Sequence, residues 1–134
     1  MISSAEEFIS LRSSDDPTNN RRATAESAHV DVWLDVVSRY PDMKFWVAQN
    51  KTVPLIVLKV LARDEDARVR SLVAMKGSLS NELFLILSND HDGSVRQRIA
   101  YNKKTPYDVL EFLSHDREEL VAGPARERLA EPSV

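Results

Sequence analysis

Three histidines, two serine pairs and paired acids such as Glu118-Glu119 are the residues whose types could support chemistry in this chain. His29, His91 and His115 form neither a His-x-x-x-His nor a His-Glu-x-x-His spacing, and a metal site needs ligands that converge. His91-Asp92 and His115-Asp116 read instead as solvated turn residues. Glu118 and Glu119 are sequence neighbours, so on a helix they point in different directions and do not pair as general acid and base. Ser3-Ser4 and Ser13-Ser14 read as helix caps or turns rather than nucleophiles. The few glycines are isolated, which leaves no glycine-rich loop to cradle a phosphate. The sequence contains no cysteine, which excludes thiol catalysis, a zinc ribbon and a disulfide scaffold and fits a reducing cytoplasm. The expectation is a protein that is not an enzyme, with no catalytic residue, no cofactor and no metal.

Charge is more informative in its distribution than in its total. The formal net charge is −3. Between Met43 and Lys104 stand 11 basic residues (Lys44, Lys51, Lys59, Arg63, Arg68, Arg70, Lys76, Arg96, Arg98, Lys103, Lys104) against 6 acidic ones, a local excess of +5 that leaves −8 for the rest. Such a zone could meet phosphates or an acidic protein surface. The composition, 43% hydrophobic and 29% charged, is that of an ordinary globular protein rather than a disordered one. No apolar run approaches the roughly 20 residues that span a bilayer, and the first residues lack a secretory pattern. The expectation is therefore a cytoplasmic, monomeric protein without membrane association, folded as one domain over 1–134.

The elements that must position these residues follow from an internal period. Asp64, Asp90 and Asp116 are 26 residues apart, as are Leu61, Leu87 and Leu113, and Val69, Val95 and Val121. The segment Pro54 to Leu79 aligns with Ser80 to Thr105 and then with Pro106 onward. An earlier copy is traced through Trp33, Leu34, Val37, Met43, Lys44, Val47 and Ala48. The periodic copies span 30–129, a degenerate N-terminal capping copy occupies 1–29, and a short tail occupies 130–134. Each copy reads as two helices, which makes the fold class all-α. The first helices cover about Leu55 to Ala62, Asn81 to Ser88 and Tyr107 to Ser114, and the second helices start near Arg68 and Ser94. Apolar columns Val57/Leu83/Val109, Leu58/Phe84/Leu110, Val60/Ile86/Phe112 and Leu61/Leu87/Leu113 cover about 160° of arc, as in a helix wedged between neighbours on both sides. Ser78 or Ser80 and the Asp-rich turns supply caps. Thr105 caps the helix that Pro106 opens, and Asn50 and Asn102 offer a left-handed residue after the second helices. Gly123-Pro124 interrupts the last second helix or delays its start.

The segments "LARDEDARVRSLVAMK" and "LSNDHDGSVRQRIAYNKKTP" resemble HEAT-like repeats, and most closely the bacterial leucine-rich-repeat-variant (LRV) pattern of a Leu-rich helix, an Asp-bearing turn, Val-Arg, an Ala and a terminal Asn-x-x-Thr-Pro. The resemblance covers about Val30 to Leu129 and departs from the pattern at Lys76-Gly77 and Gly123-Pro124. It implies a right-handed α-solenoid of stacked helix pairs that binds other macromolecules.

Positions alike in every copy serve the stack, and positions that differ are free for a specific task. Lys44, Arg70 and Arg96 recur on the core-facing arc and are expected to pair with Asp64, Asp90 or a helix C-terminus of the next copy. The variable arc of the second helices carries Phe45, Trp46, Gln49, Arg68, Leu72, Met75, Arg98 and Tyr101, and its aromatic residues, Met and Arg are types enriched at interface centres. These residues are the candidate partner-binding site. The resulting expectation is a protein–protein interaction module that acts through the face of the second helices. Two other readings stay open: an immunity or antitoxin protein whose partner is a bacterial toxin, and a HEAT-like nucleic-acid-binding protein, since some HEAT-like proteins, including a family of DNA glycosylases, bind DNA. The acidic whole chain speaks against a nucleic-acid partner.

Overall fold

The computed structural model describes residues 1–131, which form α-helices joined by short turns, with only an isolated β-bridge between Ile2 and Ala28. Internal contacts divide the chain into two units, Met1–Leu61 and Ala62–Val134. The division falls within the copy that runs from Pro54 to Leu79. Of the tail expected at 130–134, Ala130 ends the last helix and Glu131 follows it, while 132–134 lie outside the described residues.

The first unit holds α1 (Ala5–Ser13), α2 (Pro17–Ala25), α3 (Val30–Arg39), a 3-10 turn (Pro41–Met43), α4 (Lys44–Gln49) and α5 (Leu55–Leu61). The degenerate N-terminal segment is thus a helix pair, α1 with α2. Local chemistry sets the starts. Ser4 Oγ accepts the Glu7 N–H at 3.0 Å while the Glu7 carboxylate accepts the Ser3 N–H at 2.7 Å, so two otherwise orphaned donors near the helix start are satisfied reciprocally. Asp16 caps α2 ahead of Pro17. His29 Nδ1 accepts the Asp31 N–H at 3.3 Å, which makes this histidine a cap for α3. The core is built around Trp33, fully buried and edge-on to Phe8 with ring centroids 5.2 Å apart, with Ile2, Val36, Val47, Val57 and Leu58 also buried.

The second unit holds α6 (Ala67–Ala74), α7 (Asn81–Ser88), α8 (Gly93–Tyr101), α9 (Tyr107–Leu113) and α10 (Glu119–Ala130). Helix α8 lies between α6 and α10, and α7 packs on α9, so the second helices form one layer and the first helices another. Val69, Val73, Ala74, Leu83, Leu87, Val95, Ile99, Leu113 and Val121 fill the interior. Asp66 and Asp92 accept the N–H two residues on (Arg68, 2.8 Å; Ser94, 2.9 Å), and Ser80 caps α7.

The recurrent arginines are buried and paired. Arg70 forks onto Asp90 through Nε (2.8 Å) and Nη2 (3.2 Å), and its Nη1 reaches the carbonyl of Asp64 at 2.7 Å. Arg96 repeats this with Asp116 at 2.8 and 3.2 Å and with the Asp90 carbonyl at 2.7 Å. All four side chains are under 10% exposed. Each Asp also accepts the backbone N–H two residues on, at 2.9 Å. For Arg70 and Arg96 the expected pairing holds, with the carboxylate coming from the turn 20 residues downstream of each arginine.

Four expectations are corrected. Asn50 and Asn102 are not left-handed; their φ angles are −60° and −67°. Their side chains matter instead. Asn102 Nδ2 donates to the carbonyls of Ala74 and Lys76, both at 2.8 Å, at the end of α6. Asn50 does the same to Ala23 and Glu26 at the end of α2. Thr105 does not cap α9. Its hydroxyl donates to the Ile99 carbonyl at 2.6 Å, and Pro106 is the cap residue. Helix α10 runs unbroken through Gly123-Pro124; Leu120, whose carbonyl loses its usual donor to the proline, is 74% exposed. Finally, the Val60/Ile86/Phe112 column does not seal the interior. Val60 and Phe112 are about half exposed, at 48% and 53%, because the first helices bury one side through the other three columns and face solvent with this one.

Truncating Arg96 to Ala strands the buried Asp116 carboxylate, and the expected loss is about 3–5 kcal/mol, read from the urea midpoint. Asn102→Ala frees two helix-end carbonyls and is expected to cost about 1–3 kcal/mol, measured the same way. A pH dependence also follows. Burial works against the charge of Asp116, but the hydrogen bonds from Arg96 and from the Glu118 N–H, with the Arg96 charge, outweigh it and hold the carboxyl below its ordinary range. A depressed folded value means the contribution is complete above the unfolded pKa of about 4 and disappears as pH falls through the folded value. Thermal melts below about pH 4 are expected to show this acid loss, with a shallower dependence in Asp116→Asn.

Candidate partner-binding site

The structure distributes the eight candidate residues over both units. In the first, Phe45, Trp46 and Gln49 lie on α4 and are half-buried. Phe45 meets Trp46 edge-on at 5.0 Å between centroids, and the Arg12 guanidinium of α1 covers the Trp46 ring at 3.7 Å. This stacking is a cation–π contact, and it withdraws one face of the indole from solvent. In the second unit Leu72 is half-buried on α6, whereas Arg68, Met75, Arg98 and Tyr101 are exposed.

Of these, Met75, Arg98 and Tyr101 come together. With Gly77, Asn102, Lys103 and Lys104 they line a groove of about 410 Å³ where the C-terminal ends of α6 and α8 run side by side. Met75 and Tyr101 are 54% and 58% exposed despite their apolar bulk. The site exists because of the helix ends beneath it. Asn102 ties itself to the last carbonyls of α6, and its Oδ1 accepts the Lys104 N–H at 2.9 Å, which fixes the path of Lys103-Lys104 beside Tyr101. The Lys104 stem passes close to Gly77, but a β-carbon there would stand 3.7 Å from Lys104 Cγ, in ordinary contact, so the approach does not require glycine. Gly77 does not have a positive φ.

The electrostatics of the groove are one-sided. Its lining contains Arg98, Lys103 and Lys104 and no carboxylate. Most of the basic zone is already engaged. Arg70 and Arg96 pair with Asp90 and Asp116, Arg68 pairs with Asp66 at 2.9 Å, and Lys44, Lys59 and Lys76 also have partners. Lys76, beside the groove, has its ammonium pushed down from the ordinary lysine range by burial. Among the described residues, Arg98, Lys103 and Lys104 make no side-chain hydrogen bond or ion pair. Arg68, one of the eight candidates, is held by its own cap residue and stands outside the lining.

Sequence reasoning placed Met75, Arg98 and Tyr101 on one face but did not assign Lys103 or Lys104 to it. The signal was present: both follow the Asn column, so the backbone that Asn102 pins carries them to the groove edge. The histidines stand apart from the groove; His91 is 87% exposed in its turn. No family model matches the chain, and no curated protein or solved structure matches it either.

Proposed function

We propose that this chain is a non-enzymatic protein-binding module that engages its partner through the exposed face of the second helices in Ala62–Val134. In this reading the helix pairs stack as a right-handed solenoid of HEAT-like or LRV-like units. The recurrence of one buried Arg–Asp geometry at a 26-residue interval, Arg70 with Asp90 and Arg96 with Asp116, supports it. The observation that carries the binding role is the groove itself. Two large apolar side chains, Met75 and Tyr101, lie more than half open at a concave surface beside unpaired cations. Aromatic residues, Met and Arg concentrate at interface centres, and exposed methionine suits a surface that adapts to a partner's side chains.

A second reading has one observation in its favour. Three unpaired cations beside a tyrosine also suit a single-stranded nucleic acid, whose bases stack on aromatic rings. The wall contributed by Met75, the single aromatic ring and the net charge of −3 favour protein.

The test is affinity capture from a lysate of the source organism with the wild-type chain and with Met75→Ala/Tyr101→Ala, both checked for an unchanged circular dichroism spectrum. One protein is expected to be retained by the wild type and depleted about tenfold or more by the double variant, as for loss of central anchor residues. Equal retention by both retires this face as the binding site.

A further inference from the structure

We infer that the α6–α8 groove takes an acidic peptide segment that presents one apolar side chain flanked by carboxylates. The inference rests on the protein-binding reading and narrows it to a chemistry. The groove has two zones. Met75 and the Tyr101 ring form an apolar wall, both more than half exposed. Arg98, Lys103 and Lys104 surround that wall, and no Asp or Glu lines the concavity.

The absence of a neutralising carboxylate here contrasts with five other arginines of the unit, Arg68, Arg70, Arg96, Arg126 and Arg128. Arg70 and Arg96 are matched by buried aspartates, and even the exposed Arg68 and Arg126 are matched, by Asp66 and Glu119. Within the basic zone, the cations left without a side-chain partner among the described residues are Lys51, Arg63, Arg98, Lys103 and Lys104. Three of these five converge on one groove. Their like charges repel, and a ligand carrying carboxylates relieves that repulsion as it binds. The fork of Arg98 suits a bidentate carboxylate, whereas the two lysines act as point charges that tolerate variation in the spacing of the acids.

The apolar wall sets the second requirement. An acidic segment without an apolar residue would leave Met75 and Tyr101 in water and gain only screened surface attractions, worth little each. One Leu or Phe side chain against them removes apolar area on both partners. A polyphosphate backbone would satisfy the cations but not the methionine.

The experiment uses the full chain and fluorescence anisotropy with three labelled probes. One is a dodecapeptide of Asp, Glu, Ser and Gly with a central Phe, the second replaces every acid by its amide, and the third is a twelve-nucleotide oligothymidine. Saturable binding of the acidic peptide is expected, weakened about tenfold or more by the amide replacement, by Lys103→Glu/Lys104→Glu and by Tyr101→Ala. All three side chains lie on the surface, and circular dichroism verifies the fold of each variant. Affinity is expected to fall as salt rises. Equal binding of the acidic and amide peptides overturns the acidic preference and leaves the protein-binding reading intact. Stronger binding of oligothymidine than of the acidic peptide overturns both. Absence of saturable binding by the acidic peptide at millimolar concentration overturns the inference, while the capture comparison above still decides whether the face binds a protein.

Discussion

A guanidinium buried in the layer of second helices has to find its counter-charge on the neighbouring helix pair. Arg70 and Arg96 meet this constraint in the same way, each forking onto an aspartate 20 residues ahead and anchoring a third nitrogen on a turn carbonyl. The aspartates are saturated in turn, since each also accepts the backbone N–H of its own turn. Replacing such a pair with well-matched apolar residues can leave stability unchanged, so the net energy of the pair is a weak reason for its presence. Its geometric effect is clearer. A bidentate fork admits one relative placement, so it sets how far α8 is advanced against α6, and the next fork does the same for the turn before α10.

A second set of bonds fixes the opposite ends of the same helices. Asn102 closes the C-terminal carbonyls of α6, and Arg128, which stands 26 residues further on, donates to the carbonyls of Ala100 and Asn102 at 3.2 and 2.9 Å. Asn50 performs the equivalent task for α2 within the first unit. Helix-end carbonyls without partners are costly when shielded from water, and a side-chain donor at a fixed spacing satisfies them without a left-handed residue. Asparagine and arginine differ in shape and charge, yet both supply two or more N–H donors to the same kind of carbonyl pair. At Asn50, Asn102 and Arg128 the column therefore keeps a hydrogen-bonding capacity across different residue types, while Lys76 stands at the remaining position.

This distinction explains what the sequence made legible. The period, the helix pairs, the caps by Asp66, Asp92 and Ser80, and the pairing of Arg70 and Arg96 follow from residue type and spacing alone, because each depends on local geometry or on a strongly constrained charge. The corrected expectations have separate physical sources. Residue type casts Asn102 and Thr105 as local backbone devices, whereas both side chains reach back to the end of the preceding second helix, Asn102 to α6 and Thr105 to α8. The usual penalty of an internal proline predicts a break at Pro124, but a proline in the first two turns of α10 costs little where the freed carbonyl, that of Leu120, borders an exposed position. Hydrophobicity suggests an interior for the Val60/Ile86/Phe112 column, but it reports only that burial is tolerated, and Phe112 is half exposed all the same. The candidate face was legible in outline, through Met75, Arg98 and Tyr101. The two lysines that complete it were not, because their position is set by a hydrogen bond rather than by helical periodicity.

The same asparagine consequently serves two levels of the molecule. By drawing the end of α8 onto the end of α6 it brings Met75 and Tyr101 to one groove, and by accepting the Lys104 N–H it turns the following basic residues along the rim. The cations that hold the layer together are buried and matched, while those at the groove are exposed and unmatched, although all come from one basic stretch of sequence. Net charge of that stretch therefore overstates what a ligand would encounter. Six of its eleven basic residues have partners already. Of the five that remain, three form a compact field beside an apolar wall, and a surface of that size selects for a short segment carrying a few acids rather than for a long polyanion, which would need a continuous basic track to hold it.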